Sequence, residues 1–502
     1  MRQLAVALLL AAVIAAGLRW GTFAVGGSDS YCYVHQAERW ASLRLQVPEP
    51  LVIEAPWPNA ALTFAPAGHV PSQTVPGALV PICPAGLSIA MAPMLALGGN
   101  PGLFLVVPLF GALLVWATFT FGSRFGSRVG LASAVLVACS PPFLYQLMQP
   151  MSDVPAAALW IVAVAAATGT KPRAPVVAGL ATAAAILMRP NLVPMALPIG
   201  LFILLRPERS WHERLQGAAR YAAAAAPGAI AVAFIQREFY GSALQSGYGS
   251  LAVFFSADHV APNIARYVSW MSQAHTAAWL LALAAPFLLP GPLTALLISL
   301  FLVNVAGYLP FAVFEDWSYL RYLLPTIPLM LTLTVAVVDA VCRRMRPAIA
   351  PAVVAAATLV LAVLFLREAG ARQVFSLQRL EARFERAGSY VGRRLPANAI
   401  VITSWQSGSV RFYGHRRTLV WDGLDPAWLD RALDFVRARG LEPYLLFESW
   451  EEPIFRARFA GSPVGALDWP PMAEVASQVR IYRPDDRERY ARGTLPPIEY
   501  VR

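Results

Sequence analysis

Residues 103–148 read LFLVVPLFGALLVWATFTFG, then SRFGSR, then VGLASAVLVACSPPFLYQLM. Two apolar runs of 20 residues flank a six-residue link that carries Arg124 and Arg128. A bilayer core takes roughly 20 apolar residues of helix. A chain inside lipid must satisfy its backbone polar groups internally, and a helix does so. The runs therefore read as spanning helices and the link as a loop between them.

The same pattern repeats outward along the chain. Apolar blocks occupy Leu4–Val25, Val80–Leu97, Leu103–Gly122, Val129–Met148, Val154–Gly169 and Pro175–Met188. They continue at Leu192–Leu205, Tyr221–Ile235, Thr276–Leu289, Pro292–Phe314, Tyr322–Val341 and Ala348–Leu366. Mean hydropathy is +0.53 and only 14% of residues are charged. Soluble domains carry about 25%, so the class is a polytopic α-helical membrane protein. The net charge of +11 comes mostly from arginine. These arginines stand at the ends of apolar blocks, as the positive-inside bias requires, and form no continuous basic face. No nucleic-acid partner is expected.

Sidedness tests the blocks. Arg124 with Arg128, Lys171 with Arg173, Arg206 to Arg220, and Arg343 to Arg346 all belong inside. A full span at Val80–Leu97 breaks that alternation. This block is short and holds Pro81, Pro84, Gly86 and Pro93, so residues 80–97 read as a juxtamembrane or re-entrant helix. Eleven spans remain, with the N-terminus inside. Leu4–Val25 is expected as a retained signal anchor rather than a cleaved leader. Residues 26–79 form a first outer loop and 236–275 a second, read as a solvated connector. From 367 to 502 charge rises and long apolar runs end. Strands are predicted at Ala399–Thr403, Thr418–Trp421, Tyr444–Phe447 and Val479–Tyr482, with a helix at Pro426–Arg439 stopped by Gly440. The expected division is a membrane domain, 1–366, and a small C-terminal α/β domain, 367–502. Cys32 and Cys83 flank the first loop, and an oxidising compartment would let them pair.

Four places could carry chemistry. Gly27-Ser28-Asp29-Ser30-Tyr31-Cys32-Tyr33 follows the first span; Asp29 reads either as a helix N-cap or as a working carboxylate, beside Tyr31 and Tyr33. Gln149-Pro150-Met151-Ser152-Asp153-Val154-Pro155 opens a later span, and Asp153 has the same two readings. Span parity puts both acids on the outer side at the same depth. Arg189-Pro190-Asn191 puts an arginine outside, against the bias, so it needs a partner: a phosphate or a carboxylate. Glu315, Asp316 and Arg321 lie in an aromatic-rich outer stretch that reads either as an interfacial belt or as an anion site.

In order and sidedness these motifs resemble the GT-C membrane glycosyltransferases, among them protein O-mannosyltransferases, the lipid A aminoarabinose transferase and the Rgt-type sugar transferases. The resemblance covers Leu4–Leu366. It rests on Ser28-Asp29-Ser30-Tyr31, Pro84-Ala85-Gly86, Ser152-Asp153-Val154-Pro155 and Arg189-Pro190-Asn191. It implies a bacterial inner-membrane enzyme that moves a sugar from a polyprenyl-phosphate donor to an outer glycan, lipid or protein acceptor. Asp29 would be the base, and Asp153 would orient acceptor or sugar. Arg189 or Arg321 would meet the leaving phosphate. Tyr31, Tyr33, Gln149, Asn191, Glu315 and Asp316 would line the substrate. Two departures stand out: a second acid is missing after Asp29, and Pro84-Ala85-Gly86-Leu87-Ser88 lacks a basic residue. No cofactor is expected; two acids without a third oxygen ligand disfavour a divalent cation. The competing classes are a lipid or polysaccharide transporter and a non-catalytic envelope assembly protein.

Overall fold

The computed structural model describes residues 2–501. The chain is mostly helical and divides into two compact units. The first takes in residues up to Gly21, Pro84–Ile235 and Gly249–Leu377; the second takes in Thr22–Cys83, Gln236–Tyr248 and the chain from Gln378 onward.

The first unit is built from apolar helices. Arg2–Trp20, Ala85–Phe104, Trp211–Tyr240 and Ala350–Ala371 are long and apolar enough to cross a membrane. Two bent pairs bring the number to six if each pair counts as one span. The pairs are Ser127–Cys139 with Pro141–Leu147, bent by 60°, and Trp317–Leu323 with Ile327–Met345, bent by 82°. Prolines cause both breaks: Pro141 and Pro142 in the first, Pro325 and Pro328 in the second. Shorter apolar helices fill the remaining blocks, among them Val106–Gly122, Asp153–Ala167, Ala174–Met188 and Pro292–Tyr308. Glycine lets backbones touch where side chains would hold them apart. A Cβ on Gly179 would lie 2.5 Å from the Tyr221 carbonyl, and one on Gly228 would lie 2.3 Å from that of Ala183. These two contacts press Ala174–Met188 against Trp211–Tyr240.

Two sequence boundaries move. The helix expected over 80–97 starts at Ala85, because Ala78–Pro81 is a strand and Pro84 sits at the N-cap. It breaks at Gly99, whose φ is 62°, two residues before Pro101. The connector expected over 236–275 is also ordered otherwise: Val260–His275 is a helix that buries Asn263, Tyr267 and His275. Its apolar residues recur at helical spacing, a signal masked by the polar residues around it.

The second unit holds two sheets. In the first, β1 (Val47–Pro48), β2 (His69–Pro71) and β3 (Ala78–Pro81) run antiparallel in the order β1-β3-β2. The second contains β4 (Ala399–Ile402), β5 (Arg417–Leu419), β6 (Glu442–Glu448), β7 (Ala473–Val475), β8 (Val479–Tyr482) and β9 (Glu499–Val501). Its order is β5-β4-β6-β8-β7-β9. β4 lies parallel to β5 and β6, and β8 lies antiparallel to β6 and β7. Every residue of β4 is buried, which fits a central parallel strand with both faces covered.

The sequence division placed residues 26–79 with the membrane domain. Here they share a core with the residues after Gln378. Leu51, Trp57 and Phe64 pack with Trp421, Leu433, Phe447 and Phe455. Trp57 and Phe64 pack on each other with ring centroids 5.6 Å apart, and the stretch buries its remaining apolar surface in the same core. Arg411 joins the two parts: it pairs with Glu49 at 3.0 Å and donates to the Phe64 carbonyl at 2.7 Å.

Candidate functional site

Asp29 opens the helix Asp29–Ser42 in the second unit. Ser28 occupies the N-cap position, so Asp29 lies in the first turn and is half-buried. A carboxylate there gains from the helix dipole. The turn is fixed from several directions. Cys32 and Cys83 form a disulfide with a Cα–Cα separation of 6.1 Å. Gly68, at φ +85°, packs so tightly that a Cβ would lie 2.6 Å from the Ser28 carbonyl. Trp405 lies 3.6 Å from the Cβ position of Gly27.

Behind Asp29 the helix buries an aromatic stack. Tyr31 stacks on His35 with ring centroids 5.1 Å apart, and His35 Nδ1 lies 3.0 Å from His69 Nε2. A Cβ on Gly408 would overlap the Tyr31 ring at 2.5 Å. Burial pushes the Tyr31 hydroxyl up to about 12 and His35 down to about 3. Burial, then the His35 ring and Arg411, hold His69 well below the usual histidine range. Both imidazoles are therefore neutral at physiological pH. Tyr31 and Tyr33 are 2% and 6% exposed, so in this structure their rings are packed inside the unit.

The first unit holds the other acid. Asp153 opens the helix Asp153–Ala167 and is 1% exposed. Its carboxylate accepts from the Arg189 guanidinium. Arg189 has extended backbone, φ −147° and ψ 91°, between the helix Ala174–Met188 and the turn starting at Pro190. The following proline disfavours helical geometry at Arg189, and that turns its side chain out of the helical track. The partner that the sequence left open for Arg189 is therefore the Asp153 carboxylate.

Around this pair lies a polar and aromatic set. The Arg189 guanidinium sits over the Tyr322 ring at 5.4 Å, and Arg321 sits over the same ring at 5.4 Å. Tyr322 stacks on Tyr308 with centroids 4.6 Å apart and planes 1° from parallel. Asn191 donates to the Tyr308 hydroxyl at 2.6 Å. Asp153, Arg189, Asn191 and Arg321 thus belong to one connected set, joined through Tyr308 and Tyr322. Tyr322 directly follows Arg321 at the end of the aromatic stretch, so its position was available in the sequence. Tyr308 gave no signal, because a tyrosine near the end of an apolar block reads as an ordinary interfacial residue.

The remaining candidates have other contacts. Gln149 donates to the Tyr145 carbonyl at 3.1 Å. Glu315 pairs with Arg266 at 2.7 Å on the surface. The Asp316 carboxylate accepts from the Ser318 N–H at 2.8 Å and caps the turn Trp317–Leu323. The last three contacts fit structural roles. Among the described residues no group of three or more His, Cys, Asp or Glu side chains could hold a metal ion.

In fold, the bundle of apolar helices and the mixed-sheet unit resemble solved GT-C membrane glycosyltransferases. Residues 86–234 match the family model described as dolichyl-phosphate-mannose-protein mannosyltransferase, a stretch that includes Asp153 and Arg189. The chain is similar in fold to ArnT from Cupriavidus metallidurans bound to undecaprenyl phosphate. The TM-score is 0.60 at 12% identity, covering 95% of this chain and 98% of that one. It is also similar to the oligosaccharyltransferase AglB from Archaeoglobus fulgidus, in complex with an inhibitory peptide and a dolichol-phosphate. There the TM-score is 0.53 at 12% identity, covering 90% of this chain and 70% of that one. A third likeness is to the arabinofuranosyltransferase AftD from Mycobacteria, with TM-score 0.54 at 16% identity, covering 96% and 42%. No curated protein sequence matches the chain.

Proposed function

We propose that the chain is an inverting glycosyltransferase that moves a sugar from a polyprenyl-phosphate donor to an extracytoplasmic acceptor hydroxyl. The observation that carries this reading is the Arg189 guanidinium, anchored by buried Asp153 and flanked by Tyr322 and Arg321. A placed arginine in a dry site acts most strongly where negative charge develops, and in this reaction that is the departing phosphate. The fold likeness supports it, as do the lipid phosphates named with ArnT and AglB.

The step balances as a single displacement. Asp29 takes the acceptor O–H proton as the oxygen attacks the anomeric carbon. The bond from that carbon to the phosphate oxygen breaks, and the lipid phosphate leaves with the electron pair. Arg189 and Arg321 meet the added negative charge. Asp153 is a positioning residue in this scheme: it holds Arg189 rather than touching the sugar. Trp405, 39% exposed and next to Gly27, supports acceptor recognition by the second unit. An oxidising, extracytoplasmic setting for that unit is supported by the Cys32–Cys83 disulfide. With the arginine-rich links inside, the reading keeps eleven spans in a bacterial inner membrane.

The test is Asp29→Asn. A lost general base lowers the rate by roughly 100-fold to 10,000-fold. The variant should insert in the membrane at wild-type yield and lose transfer by at least that lower bound. Transfer at the unaltered rate by purified Asp29→Asn protein removes Asp29 from the mechanism.

A further inference from the structure

At the other end of the Asp153–Ala167 helix lies a cavity of about 700 Å³. A 15-residue helix puts it about 22 Å from Asp153, so it is not the proposed transfer site. Arg124, Arg206 and Arg209 line it from two separate links, together with the apolar side chains of Phe202, Leu289 and Leu293.

Arg206 and Arg209 are held in place by carbonyl oxygens rather than by carboxylates. Arg206 donates to the carbonyls of Gly169 and Thr168 at 2.7 and 3.1 Å, and Arg209 donates to that of Thr170 at 3.0 Å. Carbonyls fix a guanidinium but carry no net charge. Among the described residues none of the three arginines forms an ion pair, and the one acid in the wall, Glu208, is exposed. Burial, then the neighbouring Arg209, holds the Arg206 guanidinium below its ordinary value; Glu208 acts against this and Arg124 adds to it. The first turn of the helix Pro292–Tyr308 also lines the cavity and adds its positive end.

We propose that this cavity binds the phosphate headgroup of an anionic glycerophospholipid. Three guanidinium groups lining one cavity suit a phosphate, which accepts their planar fork. The apolar wall argues for a lipid over a soluble phosphate. Phe202, Leu289 and Leu293 stand next to the arginines, and Leu201 and Leu205 on the same segment are 43% and 64% exposed. A free phosphate needs no such surface, whereas an acyl chain does. Basic pockets between membrane helices recognise anionic lipid headgroups by this combination. The inference does not depend on the transferase reading.

Native mass spectrometry of the full chain in neutral detergent tests it, with phosphatidylglycerol, phosphatidylcholine and inorganic phosphate as probes. The expected result is at least a tenfold preference for phosphatidylglycerol over phosphatidylcholine, lost in Arg124→Gln/Arg209→Gln. Equal retention of the two lipids, or undiminished phosphatidylglycerol binding by the double variant, overturns the proposal. Displacement of phosphatidylglycerol by millimolar inorganic phosphate overturns the lipid assignment in favour of a soluble phosphate. Arg124 is exposed, so Arg124→Gln alone serves if the double variant does not fold; it should weaken phosphatidylglycerol binding severalfold, and unchanged binding counts against the proposal.

Discussion

Asp153 and Arg189 show how a single pair can be half legible in a sequence. Arg189 stood out because the charge pattern reads its position as outer, against the bias, and such a group needs a counter-charge. Asp153 stood out at a block junction. Nothing in the spacing of 36 residues tied them together; the tie needs the Pro190 turn and the packing of two helices. Tyr308 was not legible at all, since its stacking on Tyr322 is a tertiary fact. The pair is buried on the Asp153 side, so removing one partner leaves a bare charge. That typically costs 3–5 kcal/mol, whereas removing both partners is far milder. Arg189→Met should therefore lower the thermal midpoint of the purified protein markedly. Asp153→Asn combined with Arg189→Met should recover most of that loss and still transfer no sugar. If the double variant is no more stable than Arg189→Met, the pair is not coupled as described.

The Asp29–Ser42 helix carries its carboxylate on a frame built from contacts distant in sequence. The disulfide joins residues 51 apart. By loop entropy it stabilises the fold by about 4 kcal/mol. Reduction with a phosphine, or Cys32→Ser with Cys83→Ser, should lower the unfolding midpoint of the second unit. The same change should reduce transfer by releasing Asp29, whereas transfer and midpoint that both stay at wild-type values would remove the disulfide from the frame. The histidine pair adds a pH dependence with a definite sign. His35 and His69 are held below their ordinary value of 6.5, so the unfolded chain takes up protons first as pH falls. Their contribution to stability is complete above about 6.5 and is lost progressively below it, down toward about 3 for His35. Midpoints measured at pH 7.5 and pH 5 should show this fall. His35→Gln with His69→Gln should flatten it, and an unchanged slope would place the titrating groups elsewhere. The sequence displayed both histidines but no reason to join them, because His69 meets the Tyr31–His35 stack only when β2 returns to the helix.

At the scale of the whole chain, apolar blocks and charge bias displayed the membrane class, and alternating short strands displayed β4, β5, β6 and β8. They did not display where residues 26–79 belong. Trp57 packs on Trp428 and Phe435, across more than 370 residues of sequence, and periodicity carries no information at that range. Span count is the other place where local and global readings part. A 17-residue helix such as Val106–Gly122 is about 25 Å long against a core of about 30 Å. Length alone thus admits only four to six spans, whereas the charge bias asks for eleven. Short helices cross where the bilayer thins or where flanking residues continue the span. The arginine-rich links then decide the sidedness, because each unsatisfied cationic cluster outside would oppose the bias. Cysteine labelling tests the outcome in intact cells, after Cys139 and Cys342 are replaced by serine. Gln73→Cys, exposed in the second unit, should react with a membrane-impermeant maleimide. Ser127→Cys and Lys171→Cys should react only after the cells are opened. Ready labelling of Ser127→Cys from outside would make Ala85–Phe104 a full span and would reverse the sidedness of the Arg124 link.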